Sequence, residues 1–518
     1  MSRISSPFVL DLRSVALFRI LIGLTIVYDI LARFPYAALF LSDAGALSRA
    51  DLLATVNRPW SFSVYMLVGD PLQAQAILAL HLVAALALVV GFRTRLASVV
   101  CWVLVLSLQH RNPLVLNGGD TLLSLYAFWA MFLPLNARWS VDRAIADGSN
   151  RDGFLSFESN RFHAIPGAAF LLQTLIVYGF SVVLKSGDLW RNGEAVSYAI
   201  RNLGLMESGA LWLQKFDAAQ VFLTYATFHW EWIGCVLVLC PFFNARLRMV
   251  AIFGFVAMQC AFGWMLDLAL FPLVSISGCL ALLPGSFWDK IEDLVGQNKA
   301  IGAFLKNTDW SALSFLKGGG AIVASRRSSI ICGIAIVLVF GWNLRGLPEQ
   351  PVSKAFPKPV SNIMYALKLR QKWSMFAANP PRHSGWYTIE AQLANGDTID
   401  LFDPQVPYSI RRPELFTSRY PDRRWGKFLD NIRKSRYRRL RDDYLEFLVS
   451  RWSEQMKSGN KIQTASLVYF REKILLEGGY ADPDMSKLVT IMPDGITQVG
   501  SSAVGVEGST DDSELGDL

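Results

Sequence analysis

Charged residues are scarce in this chain, and their scarcity excludes an ordinary soluble fold. Only 18% of the 518 residues are charged, 52% are hydrophobic, and the mean hydropathy is +0.32. A typical soluble chain is about 25% charged. Apolar runs fill the first 345 positions, and the charge is concentrated in the remainder. We therefore expect an integral membrane protein with a soluble C-terminal part.

Cysteine pairs and the common catalytic motifs are also missing. The six cysteines all lie in apolar segments and form no C-x-x-C pair, so we interpret them as small buried side chains rather than disulfides or metal ligands. The sequence has no G-x-G-x-x-G, Walker, H-E-x-x-H or G-x-S-x-G context. No metal site is predicted.

The net charge of +8 is better explained by a membrane than by nucleic acid. The basic residues lie mostly in loops between apolar runs and in one C-terminal stretch. We therefore expect a lipid bilayer as a partner and no nucleic acid.

The apolar runs have the length of membrane-spanning helices. A hydrocarbon core about 30 Å thick needs roughly 17–25 apolar residues as helix. Nine runs are candidates: 13–34, 72–90, 95–110, 120–136, 165–184, 218–241, 249–265, 267–285 and 329–344. The third and fourth are short, and a count of eight is the alternative. The first run carries Arg19 and Asp29, which argues against a cleaved signal peptide.

Basic residues in the loops predict the orientation. With the N-terminus in the cytoplasm, the cytoplasmic segments hold 16 basic residues and the opposite loops hold eight. Nine spans then place the C-terminal domain outside the cytoplasm, whereas eight spans would reverse its side. No organelle transit pattern precedes the first span, so we expect a bacterial inner (cell) membrane.

The predicted fold class is an all-α polytopic membrane bundle of eight or nine spans with a small α+β extramembrane domain. The expected divisions are a bundle at 1–285, a cytoplasmic loop at 286–328, a last span at 329–345, a soluble extracytoplasmic domain at 346–480 and a mostly disordered acidic tail at 481–518.

Three patterns define the soluble domain. Segments 386–393 and 398–402 alternate around Asn395-Gly396-Asp397, which predicts a hairpin. Helical spacing follows over 413–457, and a further strand is expected at 465–471. Twelve of the 31 residues from Arg411 to Arg441 are basic. They indicate either a solvated helix face or a surface for anionic lipid or an acidic partner.

Ionisable residues inside the spans are costly and are usually paired or functional. The structural interpretation pairs Asp29 with Arg33 four residues on and lets Arg19 meet backbone carbonyls. His81, in mid-span, either donates to a carbonyl or acts as a ligand or proton relay. The loop from Arg111 to Asp120 is rich in turn residues, and Asp120 suits a helix N-cap.

Two further residues are candidates for chemistry. Lys185 ends the fifth apolar run, where it either reaches for the lipid headgroups or, beside a cavity, acts as a base. His229 is followed by Trp230, Glu231 and Trp232, which together could line a polar pocket with an aromatic floor.

Six short motifs occur in a fixed order along the chain. They are Leu17-Phe18-Arg19 with Gly23 and Asp29, the segment 91–95, the loop 111–120, the segment 139–142, Tyr178 to Trp190 around Lys185, and His229-Trp230. Together they resemble the horizontally transferred transmembrane (HTTM) domain family, which includes vitamin K-dependent gamma-carboxylase. The resemblance covers about residues 10–290, and the block 371–376 is similar to the tail of bacterial members.

The resemblance implies an enzyme that uses a reduced quinone (vitamin K or menaquinol) and a peptide or protein substrate. It places Lys185 at the position of a lysine that deprotonates the quinol, with His229 and Asp120 as polar support. Two histidines of the enzyme fall at Gly119 and Gln259 here, which puts full carboxylase activity in doubt. The alternative is a non-catalytic membrane binding or assembly protein whose outer domain recruits a partner. The sequence does not predict an oligomeric state.

Overall fold

The computed structural model describes residues 6–56, 60–148, 160–297, 324–347, 356–455, 460–476 and 479–492. The N-terminal part is helical: α1 (Leu12–Arg33), α2 (Ala37–Leu41), α3 (Arg49–Val56), α4 (Pro71–Val90), α5 (Thr94–Arg111), α6 (Gly118–Ala130), α7 (Val141–Gly148), α8 (Ile165–Leu184), α9 (Asp188–Arg191), α10 (Ala195–Ala199), α11 (Ser208–Leu213), α12 (Asp217–Leu239), α13 (Asn244–Met265), α14 (Phe271–Leu280), α15 (Gly285–Gln297) and α16 (Arg326–Arg345). A strand pair, β1 (Leu10–Asp11) and β2 (Arg161–Phe162), ties the start of α1 to the chain before α8.

Six helices in the described part are long and apolar enough to cross a membrane: α1 with its extension to Leu41, α4, α8, α12, α13 and α16. The pair α14 and α15, bent by 86°, raises the count to seven if it forms one span. The expected spans 95–110, 120–136 and 267–285 correspond to the shorter helices α5, α6 and α14. At 1.5 Å per residue the 13 residues of α6 reach only about 20 Å, so the count of nine stays a prediction.

The shorter helices pack among the long ones. Phe18 of α1 meets Tyr126 of α6 and Phe170 of α8, with ring centroids 5.8 and 4.8 Å apart. Gly278 of α14 lies against Tyr126 so closely that a Cβ there would come within 2.1 Å of the phenol oxygen. Small residues allow such close helix contacts in membranes, where packing rather than the hydrophobic effect drives association.

The C-terminal domain combines an antiparallel sheet with helices. Its elements are α17 (Lys358–Ala366), β3 (His383–Leu393), β4 (Thr398–Asp400), β5 (Asp403–Pro407), α18 (Arg423–Ile432), α19 (Arg439–Gln455), β6 (Ile462–Leu475), β7 (Gly479–Tyr480) and β8 (Asp484–Ile491). The strand order is β5-β4-β3-β6, with β8 and the short β7 both paired to β6. The expected hairpin forms, with Glu390 opposite Asp400 and Gly396 at a φ of 91° that favours glycine.

Three sequence boundaries differ from those expected. The helical region 413–457 is two helices, α18 and α19. The cytoplasmic loop expected at 286–328 begins with a helix, α15, which covers residues 285–297. The disordered tail was expected to begin at residue 481, which is too early. The strand β8 lies within that range and pairs with β6, with Asp484 opposite Arg471 and Ile491 opposite Ala465. Residues 493–518 lie outside the described part.

The basic run from Arg411 to Arg441 is partly internal. Arg419 pairs with Asp400 at 2.5 Å, and Arg412 with Glu472 at 2.7 Å. Arg441 donates from Nε to the carbonyl of Ile432 at 2.8 Å. These three arginines are bound within the domain, whereas Arg433, Arg436, Arg438 and Arg439 are exposed.

The first segment of the C-terminal domain enters the bundle. Gln371 and Trp373 are 3% and 1% exposed, and Gln173, midway along α8, donates from Nε2 to Gln371 Oε1 at 2.9 Å. Irregular backbone at membrane depth is tolerated where protein surrounds it. The domain is therefore joined to the bundle through its interior and not only through a linker.

Candidate functional site

Lys185 turns into the protein instead of reaching for the lipid headgroups. It caps the C-terminal end of α8, where its ψ of 59° ends the helix. Its side chain is 4% exposed, and Nζ lies 2.5 Å from Oε1 of Glu231 on α12. The ammonium also stands 4.7 Å from the ring centroid of Trp190. An ion pair between two elements therefore replaces the expected interfacial anchor.

Glu231 belongs to a polar stripe along α12. Gln220, Thr224, Thr227 and Glu231 are all buried and are spaced by four, three and four residues, which puts them on one helix face. Ser181 of α8 donates from Oγ to Glu231 Oε1 at 3.4 Å. Glu231 Oε2 has no hydrogen-bond partner among the described residues. One oxygen of the carboxylate is thus held and the other is free.

A cavity opens beside this ion pair. Its empty space, counted together with its opening to the outside, is about 690 Å³. α8, α10, α12 and α13 form its walls, and the lining is mostly apolar. Besides Lys185 and Glu231, the polar lining includes Ser181, Thr227 and Gln259. The chemistry available is therefore that of one charged pair in apolar surroundings.

A second polar group lies on the opposite wall. Gln259 of α13 donates from Nε2 to the phenol oxygen of Tyr178 at 3.3 Å, and that phenol contacts the sulfur of Cys279 at 3.4 Å. Tyr178 stacks on Phe255 with ring centroids 4.1 Å apart. This chain of contacts orients Gln259, whose Oε1 has no partner among the described residues.

The C-terminal domain completes the cavity. Met375, Phe376 and Pro380 line it, and the indole of Trp190 donates to the carbonyl of Phe376 at 2.9 Å. The segment that enters the bundle therefore forms part of the cavity wall. The sequence did not predict this role for it.

The structure does not bring the three expected catalytic residues together. His229 is exposed, meets the edge of Phe228 and does not line the cavity. Two residues on a helix turn the side chain by about 200°, so His229 points away from the face that carries Glu231. The sequence suggested Glu231 only as a neighbour of His229. The spacing of the polar residues on α12 is the signal that could have predicted its place in the site.

Asp120 belongs to a different cluster, which we call the interdomain network: Asp29, Arg33, Asp120 and Arg424. Arg33 donates from Nε to both oxygens of Asp29 at 3.0 Å and from Nη2 to Asp120 Oδ1 at 2.8 Å. Arg424 of α18 donates to Asp29. The expected i,i+4 pair thus exists, and it is joined by an arginine from the C-terminal domain.

The sequence suggested Asp120 as the N-cap of α6, but Asp120 does not occupy that position. Asn117 is the cap, and its side chain accepts from the amide of Gly119 at 2.8 Å. Asp120 is the third helical residue, and its Oδ2 accepts from the Asn117 amide at 2.9 Å. The two side chains form a capping box, which leaves Asp120 Oδ1 for Arg33.

Two other arginines meet backbone carbonyls. Arg19 is fully buried and donates to the carbonyls of Leu135, Arg138 and Trp139, at 2.9, 3.2 and 2.5 Å. Arg111 donates from Nη2 to the carbonyls of Ser42 and Leu47 at 3.1 and 2.8 Å. Both side chains join loops to helices and lie outside the cavity.

His81 does not make the expected hydrogen bond. It is fully buried on α4, and neither ring nitrogen has a partner among the described residues. His81 lies near Asp29 of the interdomain network and does not line the cavity that contains Lys185.

The described residues contain no group of three or more His, Cys, Asp or Glu side chains arranged to hold a metal ion. Their six cysteines are free, with Cys101, Cys279 and Cys332 buried and Cys260 exposed. Comparisons of the chain with protein-family models, curated proteins and solved structures find no match. The chemistry of the cavity therefore carries the functional argument.

Proposed function

We propose that this protein is an HTTM-type membrane enzyme that binds a reduced quinone in the cavity beside Lys185 and Glu231 and acts on it in an oxygenase or carboxylase-like reaction. The ion pair at the wall of a mostly apolar cavity is the observation that carries this proposal. A lipid quinol fits such a site, because its ring and tail prefer apolar walls and its hydroxyl is a hydrogen-bond donor.

The free acceptor in the cavity supports a hydroxylated ligand. Glu231 Oε2 is buried and has no partner among the residues that the structure describes, and a buried polar atom left unpaired costs about 1–3 kcal/mol. A ligand hydroxyl that donates to it recovers that free energy. An oxidised quinone offers only acceptors and cannot do so.

We infer that the protein lies in a bacterial inner membrane, with its N-terminus in the cytoplasm and its C-terminal domain outside. The bundle has two distinct ends. The C-terminal domain contacts one end, where Asn431 donates to the carbonyl of Leu114 at 2.7 Å. At the other end Arg13 meets Asp289, and Asp142 accepts from the amide of Arg93. Basic loop residues are more frequent at that second end, which favours a cytoplasmic location for it.

Quinol turnover tests the proposal. Purified protein in lipid is given reduced menaquinone or vitamin K under oxygen, and epoxide is followed chromatographically. Wild type is compared with Lys185→Ala and with Ala199→Phe, which places a ring in the cavity wall. Ala79→Phe, at an exposed position on α4, is the matched control for added bulk.

Epoxide from wild type and from Ala79→Phe, with loss in the other two variants, supports the proposal. Equal epoxide from Ala199→Phe would show that the cavity is not the site. If none of these quinols yields epoxide, the enzyme proposal fails.

A binding or assembly protein is the second candidate, and the Lys185–Glu231 pair is the observation that favours it. A lysine in direct contact with a buried carboxylate forms an ion pair, which suits a fixed anchor better than a base. Equilibrium binding of the reduced quinone without any product would support this role. Deleting 346–518 does not separate the two functions, because Met375 and Phe376 line the cavity.

A further inference from the structure

We propose that Glu231, not Lys185, is the group that takes the proton from the ligand hydroxyl, and that Lys185 is the fixed positive charge that stabilises the resulting anion. This inference rests on the proposed quinol function and assigns the roles within the same site. It reverses the roles that the sequence resemblance implies, since there the lysine is the base.

The geometry of the pair carries the inference. Lys185 Nζ is 2.5 Å from Glu231 Oε1, and both side chains are almost fully buried, at 4% and 5% exposed. A carboxylate in direct contact favours the ammonium form of a lysine, and an ammonium has no lone pair with which to accept a proton. Glu231 lines the cavity, and its Oε2 is the carboxylate oxygen that has no hydrogen-bond partner among the described residues.

Charge conservation in the cavity supports the same assignment. The ammonium and carboxylate are together neutral, whereas a neutral lysine beside an ionised Glu231 would leave one buried negative charge without a partner. Breaking a buried ion pair in this way is strongly destabilising. The 2.5 Å contact between Nζ and Oε1 favours the ion pair, and the only basic member of that pair is the carboxylate.

The proton transfer balances without any further reactant. The ligand O–H bond breaks, its electron pair stays on the ligand oxygen, and a new O–H bond forms at Glu231 Oε2. Lys185 keeps its three protons and changes partner, from the carboxylate to the ligand oxyanion. The total charge in the cavity is zero before and after the step, so no net charge is created in apolar surroundings.

Two conservative variants give opposite results under the two assignments. Glu231→Gln removes the acceptor but frees Lys185 to become a neutral amine. Lys185→Arg keeps the positive charge but places there a guanidinium, which stays protonated in proteins. If Glu231 is the base, Glu231→Gln lowers kcat by about 100-fold or more, and Lys185→Arg keeps turnover within about tenfold of wild type.

The experiment measures kcat and KM of quinol turnover for wild type and both variants in lipid. Lys215→Arg and Glu414→Gln, at exposed positions, are matched controls for each chemical change. Equilibrium binding of the reduced quinone in the absence of oxygen, together with the melting temperature, shows whether each variant still folds and binds.

Loss of kcat in Glu231→Gln with binding retained, together with turnover in Lys185→Arg, supports the inference. Undiminished turnover in Glu231→Gln, or its abolition in Lys185→Arg with binding intact, would make Lys185 the base and overturn it. Absence of turnover in wild type would instead refute the proposed function, and the inference with it.

Discussion

The cavity pair and the interdomain network are two buried charge clusters that are built differently. In the network, both oxygens of Asp29 and both oxygens of Asp120 accept hydrogen bonds. At the cavity, Glu231 holds Lys185 with one oxygen, and its other oxygen has no partner in the part of the chain that the structure describes.

This difference indicates different tasks. A cluster whose four carboxylate oxygens all accept hydrogen bonds has no carboxylate acceptor left for a ligand and contributes positional specificity, which here fixes α18 against α1 and α6. An incompletely bonded pair is a poor stabiliser, and departures of this kind concentrate at functional sites. The comparison predicts that stability depends mainly on the network and activity mainly on the cavity.

The largest expected effect on stability comes from breaking the network. Asp29→Asn leaves two arginines facing one carboxylate in a buried site, and we expect a loss of about 3–5 kcal/mol of unfolding free energy. Denaturation in detergent micelles measures this loss, and trypsin should cut the C-terminal domain faster. Lys487→Met, at the exposed pair with Glu390, is the control and should shift the melting temperature little. Equal stability of the two variants would contradict the role given to the network.

Replacing the whole cavity pair should separate stability from activity. In Lys185→Met with Glu231→Leu, apolar side chains take the place of both charges, and such replacements are often neutral or stabilising by about 1–4 kcal/mol. We expect a melting temperature at or above that of wild type and no quinol turnover. A strongly destabilised double variant would show that this pair, like the network, is structural.

His229 offers a comparison within one helix. It lies two residues from Glu231 but on the exposed side of α12, so His229→Ala should change kcat/KM by no more than about twofold. Turnover assays on His229→Ala and on Glu231→Gln check this expectation. A large loss in His229→Ala would return that residue to the site that the sequence suggested.

The smallest effect concerns like charges around Asp443 of α19. Partial burial, with Asp51, Glu446 and Asp442 nearby, raises the pKa of Asp443 to about 6. Its folded-state pKa is above its unfolded value of about 3.9. The wild type therefore loses stability as the pH rises from about 4 through 6, and none is lost below that window. Asp443→Asn should melt roughly 1–2 °C higher at pH 7.5 and no differently at pH 4; equal differences at both pH values would contradict this.

Sequence patterns were sufficient where the determinant is local. The spans at α1, α4, α8, α12, α13 and α16 follow from hydropathy alone. The hairpin around Gly396 follows from its turn residues, and the contact between Asp29 and Arg33 follows from a spacing of four on one helix. Each of these depends on residues close together in the chain.

Patterns failed where two distant elements had to meet. The end of α8 allows Lys185 to point outward or inward, and only the rotation of α12 decides that Glu231 lies 2.5 Å away. The alternation of long and short helices likewise hid the fact that α6 and α14 are too short to span about 30 Å alone.

The sequence by itself determined that this is a helical membrane protein with a C-terminal sheet, because hydropathy and turn chemistry act over a few residues. Only the tertiary structure decided that Arg424 completes a network inside the bundle and that Met375 and Phe376 close a cavity around Lys185. Both outcomes depend on how whole elements rotate and pack against each other, and the period of one element does not contain that information.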